Sequence, residues 1–140
     1  MAASVSPRLD QVAVGDELPP LDVPLTRSTI VATAIASRDY TEVHHDPTIA
    51  VRGGTPDIYM NILSSNGFVG RFVTDWAGPD AILKKVSIRL GAPNHPGDTM
   101  HMTGVVIAKD DSAGTIEVAV RGANSLGDHV TGTVTLSLPS

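Results

Sequence analysis

Asp39 and His44 lie five residues apart in the stretch Ser37-Arg38-Asp39-Tyr40-Thr41-Glu42-Val43-His44-His45-Asp46-Pro47. On a continuous helix that spacing would rotate the two side chains roughly 140° from each other, so they would not share a face. If the chain turns between them, as the Asp46-Pro47 step indicates, both can point into one pocket. A carboxylate and an imidazole that meet can hold one water between them, one taking its proton while the other delivers a proton elsewhere on a substrate. That chemistry is hydration or dehydration. Ser37, Asp39 and Thr41 are also ordinary helix-ending and turn residues, and a His-His-Asp cluster is common on solvated loops. The rest of the chain has to decide between the two.

With 140 residues the chain has the length of one domain with its own core. Hydrophobic residues at 41% and charged residues at 18% place it among globular proteins. The net charge of -5 and the scattered Lys and Arg argue against a nucleic-acid partner. No cysteine is present, which excludes disulfides, thiolate catalysis and Cys-ligated zinc. No carboxylate and histidine set recurs at ligand spacing, so no metal is expected. No apolar run reaches transmembrane length and Met1 to Asp10 lacks a signal-peptide core, so no membrane partner and a cytoplasmic location are expected.

The elements that must position the pair follow from pattern. Residues 1–10 are expected to be disordered, the small polar start from Met1 to Pro7 above all. Val12 to Leu25, broken by Gly15-Asp16 and Pro19-Pro20, reads as a short strand, a turn and an extended arm. Thr26 or Ser28 can cap a short helix with an Ile30, Val31, Thr33, Ala34, Ile35 stripe that delivers the chain to Asp39. Val51 to Gly54 reads as a flexible turn. Thr55 as N-cap, Pro56 at the first helical position and Asp57 in the first turn predict a long helix from Pro56 to Trp76, stopped by Ala77-Gly78-Pro79. Its apolar side carries Ile58, Ile62, Val69, Phe72, Val73 and Trp76, and Ser64, Ser65, Gly67 and Gly70 keep it slim.

From Ala81 onward the period becomes two. Strands are predicted over Ile82 to Leu90, Thr99 to Ala108, Thr115 to Arg121 and His129 to Leu138. The fold class is therefore α+β, an antiparallel sheet wrapped around one long central helix in a single domain over 1–140.

The order of elements is that of the hot-dog fold. The run Ser87-Ile88-Arg89-Leu90-Gly91-Ala92-Pro93-Asn94-His95-Pro96-Gly97-Asp98-Thr99 resembles the strand-and-turn signature of MaoC-like hydratases, with Leu90 where Phe is usual. The Asp39/His44 spacing is similar to the Asp-x-Asn-Pro-x-His element of the (R)-specific enoyl-CoA hydratases, with Thr41 and Glu42 where Asn and Pro are usual. Arg38-Asp39, Val43 to Asp46, Asn61 to Leu63, Val73 to Pro79 and Leu126 to Thr131 together look like the small subunit of the heteromeric steroid side-chain enoyl-CoA hydratase of cholesterol-degrading bacteria.

This resemblance implies a catalytic pair Asp39 and His44 that adds water to the conjugated double bond of a steroid acyl-CoA with a three-carbon side chain. It implies an acyl-CoA thioester substrate, no separate cofactor because CoA is part of that substrate, and a larger MaoC-like subunit in a heterodimer or heterotetramer, linked through its extra domain to an aldolase. Such chemistry needs a base, an acid and a donor for the enolate oxygen; which of Asp39 and His44 is the base stays open. The backbone amide of Ile62, in the stretch Met60-Asn61-Ile62 that stands where the family has Ala-His-Gly, is the candidate donor. His45 reads as a neighbour that orients the loop, and His95, His101 and His129 as surface or packing residues. Arg89 either fixes its strand or meets a CoA phosphate, and Tyr59 and Trp76 read as core or subunit-contact aromatics. Two alternatives stand beside this reading, an acyl-carrier-protein dehydratase subunit and a non-catalytic hot-dog partner that only binds acyl-CoA.

Overall fold

The computed structural model describes residues 5–140. Helix α1 spans Arg27–Ala36, capped by Thr26, whose hydroxyl accepts the Thr29 N–H at 3.0 Å. It buries Ile30 and Ala34. Its end is abrupt because Arg38 takes a left-handed φ of 56°. Arg38 N–H bonds the Ile35 carbonyl and Asp39 N–H bonds the Ala34 carbonyl, a closing pattern that usually has glycine where Arg38 stands. The chain leaves the helix at a fixed angle, and Asp39 is the first residue after the break.

A 3₁₀ turn over Glu42–His44 follows. Asp46-Pro47 then starts a helix instead of a simple turn. Asp46 caps α2, Pro47–Arg52, by accepting the Thr48 and Ile49 amides, with proline at the first position where it loses no bond. The turn predicted over Val51 to Gly54 shrinks to Gly53 and Gly54, the latter at φ +95°.

The long helix starts later than its sequence signal. α3 spans Ile62–Ala77, capped by Asn61, and Pro56 to Met60 is an irregular segment ahead of it. Thr55 cannot cap a helix at Pro56 because its hydroxyl donates back to the Ala50 carbonyl at 2.9 Å, closing α2. Asp57 is taken by Arg27 in a two-pronged ion pair. Ile58 and Met60 are buried, and Met60 N–H is held by the Asn94 carbonyl. Ile62, expected on the apolar side, is 55% exposed.

The strands are β1 (Leu21–Pro24), β2 (Ile82–Leu90), β3 (Thr99–Asp110), β4 (Thr115–Asn124) and β5 (Gly127–Ser137). They form one antiparallel sheet in the order β1-β3-β4-β5-β2. Of the predicted strand between Val12 and Leu25 only β1 is in the sheet, with one further bridge from Glu17 to Val105. The inner face, Met100, Met102 and Val106 of β3, Ile116, Val118 and Val120 of β4, Val130, Val134 and Leu136 of β5, packs on Val69, Phe72 and Val73 of α3. Gly104 makes that contact possible. A Cβ there would lie 2.8 Å from the Phe72 ring, so glycine is what lets the ring sit against the sheet. Fully burying a Phe is worth about 1.5–3 kcal/mol.

The Pro96-Gly97-Asp98-Thr99 turn works as a clasp. Gly97 supplies φ +93°, and the Asp98 carboxylate accepts the Ser125 hydroxyl and amide, tying the turn before β3 to the β4–β5 hairpin. The disorder expected over residues 1–10 does not extend to Ser6 and Leu9. Ser6 is buried and its hydroxyl accepts the Asp80 amide, and the buried Leu9 bonds the Pro139 carbonyl through its amide. Residues 1–4 lie outside the described ones. Among the described residues no helix is long and apolar enough to cross a membrane.

Candidate active site

Three local structures converge at one point. The break after α1 delivers Asp39, the 3₁₀ turn delivers His44, and the first turn of α3 arrives between them through Asn61. His44 Nε2 lies 3.4 Å from Asp39 Oδ2. His44 is 8% exposed and its Nδ1 is 2.7 Å from the Tyr59 carbonyl oxygen. A carbonyl only accepts, so Nδ1 carries the proton, and in the neutral ring Nε2 is left as a lone pair beside the carboxylate.

Asp39 is held from two sides. Oδ1 accepts the Thr41 hydroxyl at 2.7 Å and the Thr41 amide at 3.2 Å, while Oδ2 accepts Asn61 Nδ2 at 3.0 Å. The Thr41 hydroxyl, then the Asn61 amide, then the Thr41 backbone hold the carboxyl down at a pKa of about 2 against the opposing effect of burial. Asp39 is therefore an anion at any ordinary pH. Thr41, which stands where the resembled hydratases have Asn, is itself the main support of the carboxylate.

Asn61 links this pair to the helix. Its Oδ1 accepts the Ser64 amide at 3.1 Å and also the Ser64 hydroxyl, and its Nδ2 reaches Ser37 Oγ as well as Asp39. Ser65 N–H bonds the Asn61 carbonyl. The amides of Ile62 and Leu63 find no acceptor among the described residues, so the start of α3 presents two free donors next to the pair. The arrangement offers a proton acceptor, a fixed anion and backbone donors within one small volume, the set that addition of water to a polarised double bond requires.

A groove of about 330 Å³ between α1 and α3 opens beside these residues, lined by Ala36, Ser37, Leu63, Ser64, Gly67 and Phe68 among others. A larger one of about 540 Å³, lined by Glu17, Pro20, Thr103, Val105 and Arg121 among others, contains none of them. The second lies against residues of β3 that alternate with the buried Met102 and Val106, so it faces away from α3. Neither groove is lined by Asp39 or His44 themselves; the first borders Ser37 and Ser64, which hydrogen-bond Asn61.

The remaining histidines separate cleanly. His45 is exposed and touches the turn only through its backbone amide. His101 pairs with Asp22, both exposed. His95 donates to the Ile58 carbonyl, and the Tyr59 ring stands nearly perpendicular to both His44 and His95, with centroids 5.2 and 6.1 Å apart. His129 is buried at 2% exposure and hydrogen-bonded through both ring nitrogens. Asn61 and Thr41 are the supports that sequence reasoning missed. Asn-x-x-Ser at 61–64 is a helix-cap signal, outweighed there by Thr55-Pro56-Asp57.

The chain is 50% identical over 125 residues, 89% of its own length and 95% of the relative's, to the protein named 3-oxo-4,17-pregnadiene-20-carboxyl-CoA hydratase beta subunit of Mycobacterium tuberculosis. Among solved structures it superposes on a chain of the ChsH1-ChsH2 complex from Mycobacterium tuberculosis with a TM-score of 0.87 at 49% identity, covering 90% of this chain and 98% of that one. It also shares its fold with the R-hydratase PhaJ1 from Pseudomonas aeruginosa, TM-score 0.84 at 20% identity, covering 96% and 87%. The MaoC like domain model matches residues 11–126, which takes in the Asp39/His44 pair, the whole of α3 and the clasp at Asp98, and with that match the chain belongs to the MaoC-like domain family.

Proposed function

We propose that this chain is the catalytic small subunit of a heteromeric enoyl-CoA hydratase that adds water to a steroid acyl-CoA. The observation that carries the reading is the Asp39/His44 pair, with Nδ1 of His44 bonded to the Tyr59 carbonyl and Nε2 turned to the carboxylate beside two free helix amides.

Nε2 of His44, left as a lone pair by the Nδ1 bond to the Tyr59 carbonyl, serves as the proton acceptor. Water held by both groups loses a proton to Nε2 as its oxygen bonds the β carbon of the thioester. The electron pair of the double bond moves to the thioester oxygen, where the Ile62 amide, or that of Leu63, meets the developing charge. Asp39 balances the imidazolium, which returns the proton to the α carbon. One C–O and one C–H bond form, and one O–H bond and one π bond break. Each oxyanion donor of this kind is worth about 3–4 kcal/mol of transition-state stabilisation. No separate cofactor enters the step.

The substrate class is supported by the relative's name and by its identity to this chain. In a 17-ene-20-carboxyl thioester the β carbon is a fully substituted ring carbon. Hydration there gives a tertiary alcohol with no hydrogen to oxidise, so the product's natural fate is C–C cleavage by a retro-aldol. That supports a larger partner linked to an aldolase. A MaoC-like partner is supported by the solved complex of the similar chain and by the open side of this one, where β2 pairs only with β5 and Ile62 and Leu63 stand exposed beside the site. Use of a CoA thioester supports a cytoplasmic enzyme.

The test is steady-state hydration of a steroid enoyl-CoA by this chain co-expressed with a MaoC-like partner, wild type against Asp39→Asn and His44→Ala. Loss of most turnover in complexes that still assemble is the expected result. Normal turnover in both would place the chemistry in the partner and overturn the reading.

A further inference from the structure

A buried imidazole that the hydration chemistry does not use lies under the start of α3. His129, at the head of β5, has Nδ1 2.6 Å from the Ala92 carbonyl, so Nδ1 is the protonated nitrogen and Nε2 accepts the Ser65 hydroxyl at 2.7 Å. Ser65 is 0% exposed and its hydroxyl is also 3.3 Å from the Asn61 carbonyl. A buried imidazole satisfied on both nitrogens is held neutral, and burial pushes its pKa down.

The two partners of this ring belong to different halves of the site. Ser65 is on the first turn of α3, one turn after Asn61, whose side chain grips Asp39 and whose successors carry the free amides. Ala92 leads into Pro93-Asn94, and the Asn94 carbonyl accepts the Met60 amide, next to the Tyr59 carbonyl that fixes the tautomer of His44. One ring thus braces the carboxylate side against the imidazole side.

We propose that His129, acting through Ser65 and Ala92, is a positioning residue that sets α3 at the angle and depth where Asn61 and the first helix amides meet the Asp39/His44 pair. This rests on the assignment of that pair as the hydration site. His129 touches neither water nor substrate. Its role is alignment, so its loss is felt in kcat and not in the binding of thioester.

The experiment uses the assembled complex with its MaoC-like partner. Ser65→Ala removes one hydroxyl without changing volume appreciably, His129→Ala removes the brace, and His129→Gln keeps an acceptor within reach of Ser65. kcat, KM and the thermal midpoint are measured for each, with Asp39→Asn run in parallel. Ser65→Ala is expected to lower kcat about tenfold to a hundredfold, as a misplacement of order 1 Å does, with KM within about twofold. His129→Gln should recover part of the kcat that His129→Ala loses. An unchanged kcat in Ser65→Ala alongside a dead Asp39→Asn would overturn this proposal alone, whereas an active Asp39→Asn would overturn the site itself. A Ser65→Ala complex that cannot assemble, or one that loses KM and kcat together, would assign the brace to folding and overturn the proposal as well.

Discussion

Asn61 Nδ2 donates to Asp39 Oδ2 at 3.0 Å, so the residue that caps α3 also holds the candidate carboxylate. Asn61→Ala removes both. The lost cap is expected to cost about 1 kcal/mol and the hydration rate to fall at least about tenfold. Asn61→Asp separates the two effects, because aspartate caps as well as asparagine but sets a second anion against Asp39. It should lose activity, and its thermal midpoint should fall at neutral pH and recover part of the loss as pH falls and one of the two facing carboxyls takes a proton. Circular-dichroism melts beside steady-state rates check both variants.

Asp39 has its pKa lowered in the folded chain from 3.8 to about 2. A depressed carboxyl contributes stability that is present above its unfolded value and is lost as pH falls through the folded one. The contribution should therefore vanish between about pH 4 and pH 2. Thr41→Val removes the largest support, so the variant should be less stable than wild type near neutrality and the gap should close as pH falls through that window. Melts from pH 2 to 6 report it, and a gap that stays constant would show that Thr41 does not act through Asp39.

Gly104→Ala should destabilise the sheet-helix contact by about 1–3 kcal/mol, the usual cost of overpacking. The added methyl would sit 2.8 Å from the Phe72 ring and 3.3 Å from a Val118 methyl. Phe72→Leu in the same chain should return part of the loss, a coupling that a double-mutant cycle of urea midpoints measures.

Ile82 and Ile35 are 58% and 52% exposed on β2 and α1. Ile82→Asp and Ile35→Asp should leave the melt of the isolated chain nearly unchanged and weaken association with the proposed MaoC-like partner by about tenfold or more, the scale of a lost apolar anchor. Calorimetric titration of the two subunits decides it. Unchanged affinity would put the partner elsewhere on the chain.

What was legible in the sequence was local. The Asp39/His44 pair sits within one short stretch, and Arg38, which ends the helix, is adjacent to it. The strands β2 to β5 announced themselves by alternation, since one face of each packs on α3. The start of α3 was not legible, because Thr55-Pro56-Asp57 carries every local cap signal and only the tertiary structure diverts it. The Ala50 carbonyl takes Thr55 and the Arg27 guanidinium takes Asp57. The same holds for α2, whose Asp46-Pro47 reads equally well as a turn or a cap. His129 was read as a surface or packing residue, because its partners at Ser65 and Ala92 lie 64 and 37 positions away. Bonds of that span leave no periodicity to read.

The open edge of β2 bears on how the cell must supply this chain. A strand of nine residues, paired on one side and carrying Ile82, Leu83 and Leu90 partly in solvent, is a template for non-native pairing with other unfinished chains. Any copies made beyond the amount of partner would be drawn into aggregates or cleared by proteases. If the chain pairs as proposed, its abundance should therefore follow that of the partner whatever its own rate of synthesis, and matched production of the two chains becomes a condition for keeping either.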